Sequence, residues 1–170
     1  MSEMTLTQLL EKYDVPVPRY TSYPAVPNWQ TTPTAEQWAA ALHDALSDQA
    51  ASLAVYVHLP FCETLCTFCG CNTVITRNHD RSGPYVDTVL AELDLYLSQV
   101  APLSRRAVSQ LHLGGGTPTF LTDDELRELM AMLRRSFAIA PGAECSIEID
   151  PRTVTGERLQ VLYELGFNRI

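Results

Sequence analysis

The sequence lacks the features that identify several large classes of protein. Its 170 residues contain no apolar run long enough to span a bilayer, and no charged-then-apolar leader opens the chain. It has no basic stripe, and its formal net charge of −8 argues against a nucleic-acid partner. Internal repeats and low-complexity segments are also missing. We therefore expect a cytoplasmic protein of one or at most two domains, without a membrane span.

Cysteine, in contrast, is concentrated in one place. Four of the five cysteines lie between Cys62 and Cys71, in the pattern C-x3-C-x2-C-x-C. Thiolates are soft ligands that select iron–sulfur clusters, zinc or copper(I). The first three, Cys62, Cys66 and Cys69, suit one 4Fe–4S cluster in which one iron has no protein ligand and can bind a cofactor. With Phe68 just before the third cysteine, this spacing resembles the signature of the radical S-adenosylmethionine (SAM) enzymes.

Three other interpretations of the cysteine loop are weighed at this point: a structural zinc site, disulfides and a merely cysteine-rich loop. A structural zinc site usually takes its ligands from two separated chelating pairs, and no second pair follows downstream. Disulfides are disfavoured because nothing in the sequence indicates secretion, and because the loop is too tight for clean pairing. The fifth cysteine, Cys145, matches no motif and is predicted to be a small core residue.

The first part of the chain, 1–50, is predicted to be an N-terminal arm and helix. Residues 5–13 suit a short helix, whereas repeated prolines over 15–30 exclude a regular helix or a central strand. A capping-box pair predicts a second helix over 34–47. Its apolar residues, expected in the core, are Trp38, Leu42 and Leu46.

The second part, 51–170, alternates strand and helix. In chain order the predicted elements are strand 53–59, helix 84–99, strand 108–113, helix 122–137, strand 144–150, helix 155–165 and the start of a fourth strand at 167–170. This repetition is typical of a parallel α/β sheet with right-handed helical crossovers. Functional groups of such folds collect at the carboxyl ends of the strands, where the cysteine loop, the glycine run 114–116 and Asp150 all lie.

Polar residues alternate with apolar ones along all three strands. A row of polar groups on one face of a covered sheet must meet water or a ligand, so the pattern favours a polar lumen. Each histidine alone is better explained as a satisfied core residue or as part of an exposed face, and only the three strands together favour the lumen. The residues of the row are Tyr56 and His58, then Gln110 and His112, then Ser146, Glu148 and Asp150.

The glycine run 114–116 is weak evidence by itself. It lacks the Lys-Ser/Thr ending of a phosphate-binding loop, and its spacing differs from the dinucleotide fingerprint. A turn after a strand explains it equally well. Because it follows the cysteine loop by one strand–helix unit, however, it resembles the glycine motif that receives the amino end of SAM.

Longer stretches narrow the resemblance to one family. They are YVHLPFC at 56–62, the Cys-Gly-Cys ending at 69–71, LGGGTPT at 113–119, SIEIDP at 146–151 and the arm PRYTSYP at 18–24. Together they resemble the oxygen-independent coproporphyrinogen III oxidases, also called dehydrogenases. The cysteine spacing identifies only the superfamily, whereas the Cys-Gly-Cys ending and the arm are more specific.

The resemblance implies a role for each matching residue. The ligands of the 4Fe–4S cluster would be Cys62, Cys66 and Cys69, and the family cysteine at Cys71 would not be a ligand. The residues in contact with the SAM on the open iron would be Tyr56, Gly115 and Glu148. The residues lining the neighbouring region, where the family can hold a second SAM, would be Phe68, Gly116 and Thr117.

The resemblance also implies a fold, a reaction and partners. The fold would be the first part of a radical SAM (βα) barrel, with parallel strands, outer helices and the preceding arm. An electron from an unidentified donor would split SAM, and the 5′-deoxyadenosyl radical would start the decarboxylation of coproporphyrinogen III to protoporphyrinogen IX in heme biosynthesis. The full-length protein is expected to be a monomer. Family members are much longer, so the 170 residues alone are expected to be inactive.

Two other functions stay open. A relative of the heme chaperones shares the cysteine loop and the glycine run, but it usually lacks the fourth cysteine and the arm. Such a protein would bind heme without converting a porphyrinogen. A zinc-binding interaction module would contain zinc alone, without iron or labile sulfide.

Overall fold

A computed structural model describes residues 5–15, 25–48 and 50–170. The predicted arm motif at 18–24 therefore lies outside the described residues. The chain divides into two compact units, 1–37 and 38–170. In the first unit, helix α1 (Leu6–Tyr13) begins with a capping box in which Thr5 and Gln8 exchange two hydrogen bonds.

The predicted alternation of strand and helix is confirmed. The remaining elements are α2 (Ala35–Ala45), β1 (Leu53–Leu59), β2 (Phe61–Cys62), β3 (Val74–Ile75), α3 (Ser82–Gln99), β4 (Ala107–Gly115), α4 (Asp123–Ser136), β5 (Ala138–Ile147) and α5 (Gly156–Glu164). Both predicted capping boxes form: Thr34 pairs with Gln37 before α2, and Thr122 pairs with Glu125 before α4. Gly166, with φ of 81°, follows α5 as the predicted C-terminal stop.

The main sheet is parallel and has the order β1-β4-β5. Tyr56 of β1 pairs with His112 of β4, which pairs in turn with Ser146 of β5. This register places the three side chains side by side on one face. The predicted parallel α/β fold is therefore confirmed for the three strands, which form an open sheet within the described residues.

The opposite face of the sheet carries the core. Apolar side chains of the three strands, among them Leu59, Leu111 and Ile147, are almost completely buried. They pack in one cluster with the apolar stripe of α4 and with residues of α3 and α5. Cys145 is buried in the same cluster, as predicted for a small core residue. This burial leaves the polar row on the face that the core does not use.

Strand β5 differs from its predicted bounds of 144–150. It begins at Ala138, because residues 138 and 139 already pair with the start of β4 before the register shifts across Pro141 and Gly142. A proline and a glycine with φ of 76° suit a bulge, and they interrupted the strand pattern in the sequence. The strand ends at Ile147, so Glu148 and Asp150 lie in the loop that follows.

Smaller differences concern helices and the end of the chain. Helix α3 begins at Ser82, two residues earlier than predicted, after a single 3-10 turn. Trp38 is 45% exposed, so its predicted place in the core is wrong; Leu46 is buried as expected. The predicted start of a fourth strand is represented by one parallel bridge between Arg169 and Ser146. Among the described residues, no helix is both long and apolar enough to cross a membrane.

Candidate cluster and cofactor site

The cysteine loop leaves the sheet at the carboxyl end of β1 and returns through β3. Strands β2 and β3 are parallel and close the base of the loop: Val74 N donates to the Pro60 carbonyl oxygen and Thr76 N to the Cys62 carbonyl oxygen, both at 2.8 Å. Sequence patterns gave no sign of this pair, because each strand has only two residues. The loop is thus fixed at its base and exposed at its tip.

All five cysteines are free thiols. Cys62 is half-buried, with its Sγ 3.4 Å from Thr117 Oγ1, whereas Cys66, Cys69 and Cys71 are exposed. Desolvation, and then the neighbouring Cys69 thiol, raises the pKa of the Cys71 thiol above its ordinary value. No three His, Cys, Asp or Glu side chains in the described ranges are already arranged to hold a metal ion. A cluster held by three of these thiols would therefore require the loop to rearrange.

Tyr56 and His58 form the first part of a polar network next to the loop. His58 Nε2 lies 2.9 Å from the Asn72 carbonyl oxygen, which can only accept, so Nε2 donates. His58 Nδ1 then accepts from the Tyr56 hydroxyl at 3.0 Å. Desolvation, followed by the charge of Glu148, raises the pKa of Tyr56. The network therefore links the face of β1 to the returning end of the cysteine loop.

His112 and Glu148 continue this network across β4 and β5. The His112 ring stacks on Tyr56 with 5.6 Å between centroids, and its Nδ1 lies 2.7 Å from Ser146 Oγ. Its Nε2 lies 3.6 Å from Glu148 Oε1. The other Glu148 oxygen accepts the backbone N–H of Gly115 at 2.9 Å. Three of the predicted SAM contacts, Tyr56, Gly115 and Glu148, are therefore brought together.

The glycine run packs against the polar network and the base of the loop. Gly115 has φ of 111°, and a Cβ there would lie 2.6 Å from the His58 ring. A Cβ on Gly116 would lie 2.7 Å from backbone atoms of Pro60 and Phe61. Real Cβ atoms do not come so close to backbone atoms that cannot move away. The two glycines are thus required by the chain's own packing, in addition to any ligand.

A cavity of about 550 Å³ is lined by the first residues of the cysteine loop and by the segments that follow β4 and β5. Asp150 and Arg152 face it and form a two-point ion pair, with Arg152 Nη2 2.7 Å from Asp150 Oδ2 and Nε 2.9 Å from Oδ1. The hydrogen bonds from Arg152 lower the pKa of Asp150 to about 2. Arg152 also interacts with Cys66. Asp150 therefore belongs to this cavity, and its predicted place in the polar row beside Glu148 is wrong.

The structure does not bring all predicted site residues together. Thr117 and Gly116 lie at the base of the loop, where Thr117 N donates to the Phe61 carbonyl oxygen at 2.8 Å. Phe68 is 96% exposed at the loop tip, so it contacts little of the described chain. Arg152 was missed by sequence reasoning; its position two residues after Asp150 in the DPR stretch was the available signal.

We predict that Gly116→Ala destabilises the protein, because the new methyl group meets the backbone of Pro60 and Phe61. Overpacking at such a site costs about 1–3 kcal/mol. Gly156→Ala is the matched control, since a Cβ there meets nothing within 4 Å. Urea unfolding followed by circular dichroism measures both variants. Equal unfolding midpoints for the two would contradict the close approach of residue 116.

Comparisons with known proteins agree with this geometry. The family model described as Radical SAM superfamily matches residues 56–170. The oxygen-independent coproporphyrinogen III oxidase of Salmonella typhimurium is 41% identical over 169 residues, which cover 95% of this chain and 34% of the relative. The Escherichia coli protein of the same name is 42% identical over 163 residues, with 95% and 34% covered.

A comparison with a solved structure indicates the same family. Coproporphyrinogen III oxidase from Escherichia coli, described as a radical SAM enzyme, superposes with a TM-score of 0.76 at 38% sequence identity. The match covers 95% of this chain and 34% of that one, so the chain spans about a third of the length of the relatives it matches. Because the family model covers well over half of the sequence, the chain belongs to the radical SAM superfamily.

Proposed function

We propose that this chain supplies the cluster-binding and SAM-binding part of an oxygen-independent coproporphyrinogen III oxidase that acts in the cytoplasm. The observation that carries the proposal is the meeting of Tyr56, Gly115 and Glu148 beside the cysteine loop at the carboxyl ends of three parallel strands. The identity of about 40% with the oxidases over nearly the whole chain supports coproporphyrinogen III as the substrate. The reaction would convert coproporphyrinogen III to protoporphyrinogen IX.

The donor set fits a 4Fe–4S cluster in its chemistry. Cys62, Cys66 and Cys69 are free thiols in one loop, and thiolates are the ligands that such clusters take. Two of the three are exposed and unrestrained by secondary structure, so the loop can close without disturbing the sheet. Cys71, two residues after Cys69, would not be a ligand of the cluster.

The bound cluster and SAM would supply reducing power and a carbon radical; the chain would supply position and shielding. Glu148, already held by the Gly115 N–H, would accept hydrogen bonds from ribose hydroxyls of SAM. Tyr56 would cover the same ligand with its ring. Gly116, Thr117 and Phe68 would line the region for a second SAM. An electron donor and the remaining part of a longer protein would complete the activity.

The assignment of cluster ligands predicts a simple pattern of iron binding. After anaerobic reconstitution, the wild-type chain should contain about four iron atoms and as many labile sulfides. Cys62→Ala, Cys66→Ala and Cys69→Ala should each lose most of this iron. Cys71→Ala should retain it, as should Cys145→Ala, the control in the core. Zinc alone in the purified wild type, or loss of iron from Cys71→Ala with retention in Cys69→Ala, would contradict the assignment.

The role of Glu148 predicts a loss of SAM affinity on substitution. A hydrogen bond to a charged group contributes about 1.5–3 kcal/mol, so Glu148→Ala should bind SAM roughly ten- to a hundredfold more weakly. Glu144→Ala is the matched control, because Glu144 is a carboxylate on β5, shortly before Glu148, and it pairs with Arg169. Equilibrium titration of the reconstituted chain measures both. Unchanged affinity in Glu148→Ala would remove this residue from the site.

A chimera tests the whole reaction. Residues 1–170 would replace the matching third of the Escherichia coli relative, and we expect the anaerobic enzyme to form protoporphyrinogen IX from coproporphyrinogen III. The same chimera with Cys62→Ala should be inactive although folded, and the 170-residue chain alone should also give no product. A folded chimera that binds heme and leaves the porphyrinogen unchanged would favour the heme-chaperone alternative and contradict the proposed substrate.

A further inference from the structure

Glu63 follows the half-buried thiol of Cys62, and its carboxylate is bound from outside the loop. Glu63 Oε1 lies 3.0 Å from His79 Nε2, across 16 residues of sequence. His79 begins the 3-10 turn before α3, so the pair joins the first turn of the cysteine loop to the segment that leads into α3. Neither residue belongs to the predicted site, and the proposed function assigns no role to either.

His79 is itself firmly held. Its Nδ1 lies 3.0 Å from the Phe120 carbonyl oxygen, and its ring stacks on the Phe120 ring with 4.0 Å between centroids and 8° between planes. Its carbonyl oxygen lies 2.6 Å from the Oγ of Ser82, a completely buried residue that also reaches Glu125 at 2.7 Å. The ring and the backbone of His79 are thus both fixed, which makes the residue a rigid support.

A row of packed aromatic rings connects His79 to the base of the cysteine loop. Phe120 stacks on Phe61 with 5.2 Å between centroids, and Phe61 meets the edge of Tyr85 at 5.4 Å. Phe61 directly precedes Cys62. The first turn of the loop is therefore held at two points, by the Phe61 ring and by the Glu63 carboxylate, with the Cys62 thiol between them.

We propose that His79 is a positioning residue that, through Glu63, holds the first turn of the cysteine loop and thereby the Cys62 thiol. The side chains of His79 and Glu63 are 45% and 49% exposed. A side-chain contact this accessible contributes little to global stability, so its effect is local. The pair keeps Cys62 partly covered and next to Thr117 while the exposed part of the loop is free to close. The inference deepens the proposed function. It rests on that function only in taking Cys62 to be a ligand of the cluster.

The test measures the reactivity of the Cys62 thiol in the reduced, metal-free chain. Timed alkylation with iodoacetamide, resolved by peptide mass spectrometry, follows Cys62 and the buried Cys145 in the same sample. We expect His79→Ala and Glu63→Ala each to speed alkylation of Cys62 about two- to fivefold, the change expected from loss of an exposed polar contact. Cys145, a reference for the intact core, should react at its wild-type rate.

Two further variants separate positioning from other effects. Glu63→Gln should react like wild type, because an amide can either accept from or donate to His79 Nε2. The double variant Glu63→Ala/His79→Ala should be no faster than His79→Ala alone, since that single variant already lacks the contact with Glu63. His43→Ala, in α2, is the matched histidine control. Three outcomes would overturn the inference. They are alkylation of Cys62 in Glu63→Gln as fast as in Glu63→Ala, additive effects of the two single substitutions in the double variant, and acceleration of Cys145 as large as that of Cys62.

Iron release connects the result to the cluster. From the reconstituted chain, a chelator should remove iron about two- to fivefold faster from His79→Ala and Glu63→Ala than from wild type or Glu63→Gln. A wild type that takes up no iron would overturn the proposed function, while the alkylation rates would still decide the positioning role. A loaded wild type whose variants match it in both measurements would overturn the positioning role alone.

Discussion

The parallel hydrogen bonds between β1 and β4 continue beyond both strands, and the arrangement of the site depends on this continuation. Gly116 N donates to the Leu59 carbonyl oxygen and Thr117 N to the Phe61 carbonyl oxygen, each at 2.8 Å. The backbone of residue 116 can come so close to Pro60 only because it carries no side chain. The end of β4 is thereby bonded to the base of the cysteine loop, so loop and glycine run form one unit.

The polar face gains its order from the same register. In-register pairing places Tyr56, His112 and Ser146 side by side, and the two histidines of the face occupy the space above the glycines. Glu148 is then fixed by the Gly115 N–H, although it lies beyond the end of β5. A carboxylate that is already oriented loses less conformational entropy when a ligand binds, as the role proposed for Glu148 requires.

How far the sequence predicts this structure depends on the range of the interactions. The bounds of β1 and the capping box before α4 follow from local patterns and are confirmed. The beginning of β5 was missed because Pro141 and Gly142 interrupt a strand that only its pairing with β4 restores. Asp150 was misplaced because side-chain alternation ends with the strand. The pair Glu63–His79 depends on tertiary approach, for which no spacing rule exists.

The charges around the loop indicate what kind of ligand the site can receive. Asp150 is neutralised by Arg152, and Glu63 lies at hydrogen-bond distance from His79. Glu148, in contrast, lies 3.6 Å from His112, which is beyond a good hydrogen bond. Thiolates in the loop would add further negative charge, in a chain whose net charge is already −8. Such a site favours a ligand with a positive centre and hydroxyl donors, and under the proposed function the sulfonium and ribose of SAM would provide both.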